Sequence, residues 1–356
     1  MKSVILTCVM VALLLSSGCA RRTTEASISF AWAYRAGDYV RGKPTLSDGV
    51  VYVGADDNTM HAVDAETGER LWRYETDDNV TSSPVVHGDA IYFGSWDGAV
   101  YALDARQGEL HWRYQTDGWV SASPVLCGDF LHVGSHDGFF YRLTTGDGLL
   151  VWRYQTGGRI EAAACLAGDL AFFGSTDNHL YALDINSGEL RWRYRTGGDI
   201  VSTPAVSGGS VYVGSVDRRL YALDAATGQL RWSFEAEYAI ESSPVVADGV
   251  VYVGANDGRL YALRARDGRP IWQYQAKEII RSSPLVFGEL VFVGSDDGYL
   301  YGLDRKTGAL AWSYRTGDAI VAGPTVAGGK LYVSSIDRRL HAFSLGAEQE
   351  AGNGSE

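Results

Sequence analysis

A forty-residue repeat constrains the fold of this 356-residue chain more than any other feature of the sequence. Seven of the eight prolines keep this spacing between Pro44 and Pro324, and an aspartate recurs in every unit from Asp57 to Asp337. Tryptophan keeps it eight times, without insertion or deletion, at Trp32, Trp72, Trp112, Trp152, Trp192, Trp232, Trp272 and Trp312. Such a period is typical of solenoids and propellers, in which each unit is one supersecondary motif.

Each unit is predicted to be a four-stranded antiparallel meander. Residues 82–116, for example, contain the apolar runs SSPVV, AIYFGS, VYALD and ELHWRYQT, which are separated by turn-forming clusters of Gly and Asp. These runs are too short for helices and are rich in β-branched and aromatic residues. A lone sheet of this kind leaves edges and faces exposed, whereas a radial arrangement covers its faces. We therefore predict an all-β, eight-bladed β-propeller of four-stranded antiparallel blades.

The two ends of the repeat array predict how the ring closes. The last unit stops near Phe343 without a Trp strand, whereas residues 30–34 form an extra one. We expect the N-terminal strand to complete the last blade. The propeller is assigned to residues 28–345, and residues 346–356 are predicted to be a disordered acidic tail.

The N-terminal segment has the pattern of a secretion signal. Lys2 precedes an apolar run from Val4 to Leu15, and small residues lead to Cys19. The sequence LLSSGC resembles a bacterial lipoprotein signal. This resemblance implies a signal peptide at 1–18, lipidation of Cys19 and a tether at 19–27. Because Ala20 rather than Asp follows the Cys, we expect attachment to the periplasmic face of the outer membrane, with the inner membrane or secretion as the alternative.

A motif around each Trp resembles the tryptophan-docking motif of the quinoprotein, or PQQ-like, propellers. It is Ala62-x-Asp64-x-x-Thr67-Gly68-x-x-x-Trp72 in the first unit, and it returns in later units with Thr144 and Arg264 as departures from the Asp. The resemblance covers about residues 28–345. It implies that the eight periodic Trp residues are structural and pack between blades.

The lipid anchor and the regular eight-bladed ring also resemble the BamB family of outer-membrane assembly lipoproteins. This resemblance implies a non-enzymatic scaffold that supports outer-membrane protein assembly through protein contacts on one loop face. The expected partners are periplasmic or outer-membrane proteins, such as the β-barrel assembly machine. We expect a monomer within a hetero-complex, held at the membrane by its lipid.

Two other functions are weighed against this one. PQQ-dependent dehydrogenases carry the same motif, but they are longer and have an adjacent Cys pair and calcium ligands, which this chain lacks. No P-loop, dinucleotide turn, HExxH or nucleophile elbow occurs either. We therefore expect no enzyme activity, no PQQ or other cofactor, no metal site and no catalytic residue. A propeller that binds a sugar or another small ligand is the second alternative.

The charge balance argues against nucleic acid as a partner. The chain has 31 Lys and Arg against 43 Asp and Glu, for a net charge of -12. The recurring aspartates are interpreted as turn caps, because one carboxylate per blade does not converge on a single ion. Whether Cys127 and Cys165 pair is left open.

Function is expected where the units differ. Two loops per blade open on the same side, namely the loop between blades and the loop between second and third strands; we call this side the upper face. Five off-template aromatic residues lie in these loops, with His136 and Phe139 beside them, and such clusters commonly mark interaction sites. Arginines at the channel mouth and in these loops are further candidates, since Arg is suited to interfaces. The partner-binding candidates are Tyr39, Trp96, Trp119, His136, Phe139, Arg41, Arg281, Arg218, Arg219, Tyr238 and Tyr299.

Overall fold

The computed structural model describes residues 28–346, which form eight four-stranded antiparallel sheets. The predicted signal peptide, the lipidated Cys19, the tether and the acidic tail beyond Gly346 lie outside these residues. The sheets are arranged as the blades of a β-propeller, so the predicted fold class is confirmed. No helix among residues 28–346 has the length and apolar character needed to span a membrane.

Blades 1 to 4 follow one another along the chain. Their strands are β2 (Thr45–Ser47), β3 (Val50–Ala55), β4 (Thr59–Asp64) and β5 (Arg70–Glu75); β6 (Val85–His87), β7 (Ala90–Gly94), β8 (Ala99–Asp104) and β9 (Leu110–Gln115); β10 (Val125–Cys127), β11 (Phe130–Gly134), β12 (Phe139–Thr144) and β13 (Leu150–Gln155); and β14 (Cys165–Ala167), β15 (Leu170–Gly174), β16 (His179–Asp184) and β17 (Leu190–Arg195).

Blades 5 to 8 repeat this order until the last outer strand. Their strands are β18 (Ala205–Ser207), β19 (Ser210–Gly214), β20 (Arg219–Asp224) and β21 (Leu230–Glu235); β22 (Val245–Ala247), β23 (Val250–Gly254), β24 (Arg259–Arg264) and β25 (Pro270–Gln275); β26 (Leu285–Phe287), β27 (Leu290–Gly294), β28 (Tyr299–Asp304) and β29 (Leu310–Arg315); and β30 (Thr325–Ala327), β31 (Lys330–Ser335), β32 (Arg339–Leu345) and β1 (Ile28–Arg35).

The ring closes through the first strand, as the sequence predicts. β1 pairs antiparallel with β32, with Ile28 opposite Leu345. Across the adjoining seam to blade 1, Trp32 Nε1 donates to the Ala65 carbonyl at 3.1 Å. The ammonium of the buried Lys330 lies 2.5 Å from the Glu66 carboxylate in the same seam. The two ends of the propeller are therefore joined by backbone pairing and by side chains.

The periodic tryptophans hold neighbouring blades together. In six of the eight, the indole N–H donates to a carbonyl of the next blade that lies 33 residues along the chain, at 2.8 to 3.1 Å. The ring packs on the turn glycine of that blade: a Cβ added to Gly108 would lie 2.7 Å from the Trp72 ring, and its φ is +73°. Glycine is needed here for both reasons.

The seam between blades 3 and 4 departs from this template. Its indole, Trp152, has no hydrogen-bond partner among the described residues, whereas Arg142 Nη1 donates to the Ile185 carbonyl at 2.7 Å. Most other blades have Ala where Arg142 stands and Tyr where His132 stands. Both ring nitrogens of the fully buried His132 also lack a partner, and burial, aided by the charge of Arg142, lowers the pKa of His132 to about 4. This seam therefore buries an indole and an imidazole that have no hydrogen-bond partner within residues 28–346.

Candidate functional site

Backbone hydrogen bonds join the two kinds of upper-face loop in neighbouring repeats. The Trp96 N–H donates to the Asn79 carbonyl at 2.9 Å, and the His136 N–H donates to the Trp119 carbonyl at 2.8 Å. The same bond recurs around the ring, for example from Ile336 to Ala319 at 3.0 Å. A variable residue before each blade therefore lies beside a variable residue that follows that blade's second strand.

Three of the predicted candidates form one aromatic stack on this face. The rings of Trp96 and Trp119 lie 4.6 Å apart and are parallel within 4°. The imidazole of His136 lies 5.5 Å from the Trp119 ring at an angle of 44°. Trp119 is 47% exposed, although it sits between two other rings. The stack crosses from blade 2 to blade 3 and presents an indole to solvent.

Two hydroxyl groups at the channel mouth anchor this stack. Trp96 Nε1 donates to Thr81 Oγ1 at 2.8 Å, and His136 Nε2 lies 2.8 Å from Ser121 Oγ. Burial lowers the pKa of His136, so its neutral form is favoured. The sequence analysis did not connect Thr81 and Ser121 with these rings. The constant separation of fifteen residues within each pair is the signal that could have done so.

Residues fifteen positions apart also form ion pairs at the equivalent positions of two other blades. Arg41 Nε lies 2.6 Å from the Asp56 carboxylate, and Arg281 forms an ion pair with Asp296. Burial raises the pKa of Asp56, although Arg41 opposes that shift. Sequence reasoning missed both aspartates. Because each arginine already has a carboxylate partner, these two candidates are less available to an acidic ligand than an unpaired arginine would be.

The other aromatic candidates do not join the stack. Tyr39 lies beside the guanidinium groups of Arg41 and Arg338, at 5.2 and 5.9 Å from its ring centre. Phe139 begins β12 and packs under Arg153 at 4.3 Å. No ring contact within residues 28–346 joins either of them to Trp119. Of the predicted aromatic candidates, Trp96, Trp119 and His136 therefore form one stack, whereas Tyr39 and Phe139 lie apart from it.

The candidates in blades 5 to 7 are spread over the same face. Tyr238 is 62% exposed, whereas Tyr299 is half-buried and packs on Tyr301 at 5.6 Å. Arg218 and Arg219 both contact the carboxylate of Glu235, at 3.2 and 2.7 Å. The arginine side of the face is therefore partly neutralised within its own blade.

The recurring aspartates cap turns. Asp97 accepts a backbone N–H from Ala99 at 2.9 Å and the hydroxyl of Tyr101 at 2.6 Å. Within the described part of the chain, no group of three or more His, Cys, Asp or Glu could hold a metal ion. Cys127 and Cys165 are both free thiols. The residues present therefore do not fit the calcium and the adjacent cysteines that accompany PQQ in the dehydrogenases.

The ring of eight sheets and the interblade tryptophans define the class of protein, a β-propeller of quinoprotein-type repeats. A family model described as outer membrane protein assembly factor BamB matches residues 26–95, 76–198, 156–283, 195–314 and 276–349. The chain belongs to this family.

Solved structures with the same fold include natural and designed proteins. BamB from Moraxella catarrhalis is 22% identical with a TM-score of 0.78, and the match covers 89% of this chain and 99% of that one. The computationally designed Ika8 protein is 17% identical with a TM-score of 0.79, over 89% and 99% of the two chains. Quinohemoprotein alcohol dehydrogenase from Comamonas testosteroni is 16% identical with a TM-score of 0.76, over 89% and 76%. Comparison with curated protein sequences gave no match.

Proposed function

We propose that this protein is a non-enzymatic scaffold that supports outer-membrane protein assembly by binding another protein on its upper face. The observation that carries the proposal is the Trp96, Trp119 and His136 stack, in which a large indole remains 47% exposed in an otherwise regular ring. Exposed Trp residues are enriched at the energetic centres of protein interfaces. Membership of the BamB family supports assembly factors of the outer membrane as the partner class.

The proposed location is the periplasmic face of the outer membrane, with the chain anchored through a lipid on Cys19. The resemblance of the N-terminal segment to a lipoprotein signal supports this location. An anchor would confine the propeller and its partner to one membrane surface, which raises their effective concentration. Binding would then need only a modest affinity in solution.

The test is a photo-activated cross-linker placed at residue 119 in intact cells, followed by identification of the captured protein. A matched cross-linker at Asp129, which lies in an exposed turn on the opposite face, is the control. We expect residue 119 to capture an outer-membrane assembly component and residue 129 not to do so. Equal capture at both positions, or none at residue 119, would contradict the proposal.

The alternative of a PQQ-dependent dehydrogenase is supported by the shared tryptophan-docking motif and by likeness of fold to proteins such as the Comamonas enzyme, and one fold can serve several functions. Adding PQQ and calcium to the purified protein separates the two functions. A scaffold gives no spectral change and no dye reduction, whereas a quinoprotein gives both. Binding of a sugar at the indole stack would quench tryptophan fluorescence without any partner protein.

A further inference from the structure

At the start of its outer strand, blade 3 exposes three consecutive large apolar residues, which no other blade has at these positions. Leu149, Leu150 and Val151 are consecutive, and 62%, 42% and 45% of their surfaces are exposed. A run of three exposed apolar residues on a sheet edge favours association and is normally avoided unless it has a function. The run is therefore a candidate contact surface.

The other blades provide internal controls, because the same three positions occur in each. Blades 1, 2, 4, 5 and 6 carry at least one charged residue there, and such charges protect edges against association. Blades 7 and 8 have no charge but only one large apolar residue each, Leu310 and Phe30, and Phe30 packs against Tyr314. The charged positions are Glu69, Arg70, Glu109, Glu189, Arg191, Arg231 and Arg269.

Opposite charges flank the apolar run of blade 3. Asp147 lies three residues before Leu150 and Arg153 lies three residues after it, and both side chains are exposed. Within residues 28–346, Asp147 forms no ion pair with a cation, and Arg153 forms none with a carboxylate. In the preceding blade, Arg113, which stands where Arg153 does, lies 3.3 Å from Asp77.

We propose that this edge binds the same edge of a second copy of the chain. An antiparallel approach about a two-fold axis near Leu150 brings Asp147 of each copy to Arg153 of the other, because both lie three residues from the axis. The edge is thus complementary to itself in charge and in apolar character, as a two-fold symmetric interface requires.

The contact is expected to be weak. A stable interface buries about 800 Å² on each partner, which is more than three side chains and two ion pairs supply. The outer strand also carries a bulge at Val151, where the register with β12 skips a residue, so backbone pairing between the copies is limited. Side-chain packing and the two ion pairs carry the association, which is independent of the upper face.

Sedimentation of the purified full-length chain over a wide concentration range tests the proposal. The wild type should show a reversible monomer–dimer equilibrium. L150K should raise its dissociation constant at least ~10-fold, whereas the matched control L190K, at the equivalent exposed position of blade 4, should leave it unchanged. A wild type that stays monomeric at every concentration overturns the proposal, as does an equal effect of L150K and L190K.

A charge swap distinguishes this contact from any other dimer. D147R and R153D should each weaken the dimer because each places like charges together, and the double variant D147R/R153D should restore it. Failure of the double variant to restore association, while its unfolding curve matches that of the wild type, also overturns the proposal.

Discussion

Restoring the repeat template at the seam between blades 3 and 4 should stabilise the protein. The double substitution H132Y/R142A introduces the residues that blade 2 carries, where Tyr92 and Trp112 both donate to the Thr145 carbonyl, at 3.1 and 2.8 Å. Removing Arg142 frees the Ile185 carbonyl for Trp152, which now has no partner among the described residues. The substitution also removes the two unpartnered nitrogens of His132.

The size of the gain follows from these groups. A buried donor left without a partner costs about 1–3 kcal/mol, and the variant satisfies the Trp152 donor and removes the polar atoms of His132. The loss of Arg142 removes its stacking on Phe130, where the guanidinium lies 3.8 Å from the ring centre, and an interaction of this kind is worth about 0.5–2 kcal/mol. We expect a net increase of about 2 kcal/mol in the free energy of unfolding.

Urea denaturation at neutral pH measures this change, with the two single variants completing a double-mutant cycle. H132Y alone should be less stable than the double variant, because Arg142 still donates to the Ile185 carbonyl and Trp152 stays without a partner. R142A alone should have a smaller effect than the double variant, because His132 keeps its unpartnered nitrogens. A double variant that is less stable than the wild type would refute this reasoning, since it would show that the Arg142 bonds to Ile185 and Asn186 are worth more than the groups they leave unpaired.

Three further predictions concern the fold. Because the pKa of His132 is lowered to about 4 in the folded protein, the unfolded chain takes up this proton first as the pH falls, and the free energy of unfolding should decrease between about pH 6.5 and 4. In urea titrations over this range the wild type should lose up to about 3 kcal/mol more than H132Y/R142A. Equal losses in the two proteins would contradict the role of His132. Gly108→Ala should lower the free energy of unfolding by about 3 kcal/mol or more, because φ is +73° and the Trp72 ring occupies the space of a Cβ. Gly88→Ala, where φ is +59° and no atom lies within 4 Å of the added Cβ, should lower it by about 1 kcal/mol. Similar melting temperatures for the two variants would contradict the packing argument. Deletion of residues 28–35 should abolish the cooperative thermal transition, since it removes the outer strand of blade 8 and the bond from Trp32 to Ala65, and a native-like transition would mean that closure does not depend on β1.

Most of the fold could be predicted because equivalent residues have the same structural role in every blade. The fixed spacing of Trp32 to Trp312 predicted eight sheets, and the missing last Trp strand predicted that β1 would close the ring. Both predictions depend only on positions along the chain. Both are correct because each forty-residue repeat of a propeller forms one blade, and successive blades are related by rotation about a single axis.

The candidate site was predicted less completely, because it depends on contacts between different repeats. That Trp96, Trp119 and His136 share one stack follows from the twist and spacing of blades 2 and 3, which the period does not specify. The ion pairs of Arg41 with Asp56 and of Arg281 with Asp296 were also missed, although each joins residues fifteen positions apart within one repeat. Arg142 was also missed, although the forty-residue spacing already shows it as the single arginine at a position that is otherwise Ala or Gly.

Co-purification of W119A with its outer-membrane partner, measured beside its thermal unfolding, tests the central proposal most directly. Because Trp119 is half exposed and lies in a loop outside the strands of residues 28–346, W119A should unfold close to the wild-type temperature. The same variant should lose the partner, whereas L190A, which removes an exposed apolar residue from the rim, should retain it. Undiminished co-purification of a folded W119A would contradict the assignment of partner binding to the aromatic stack.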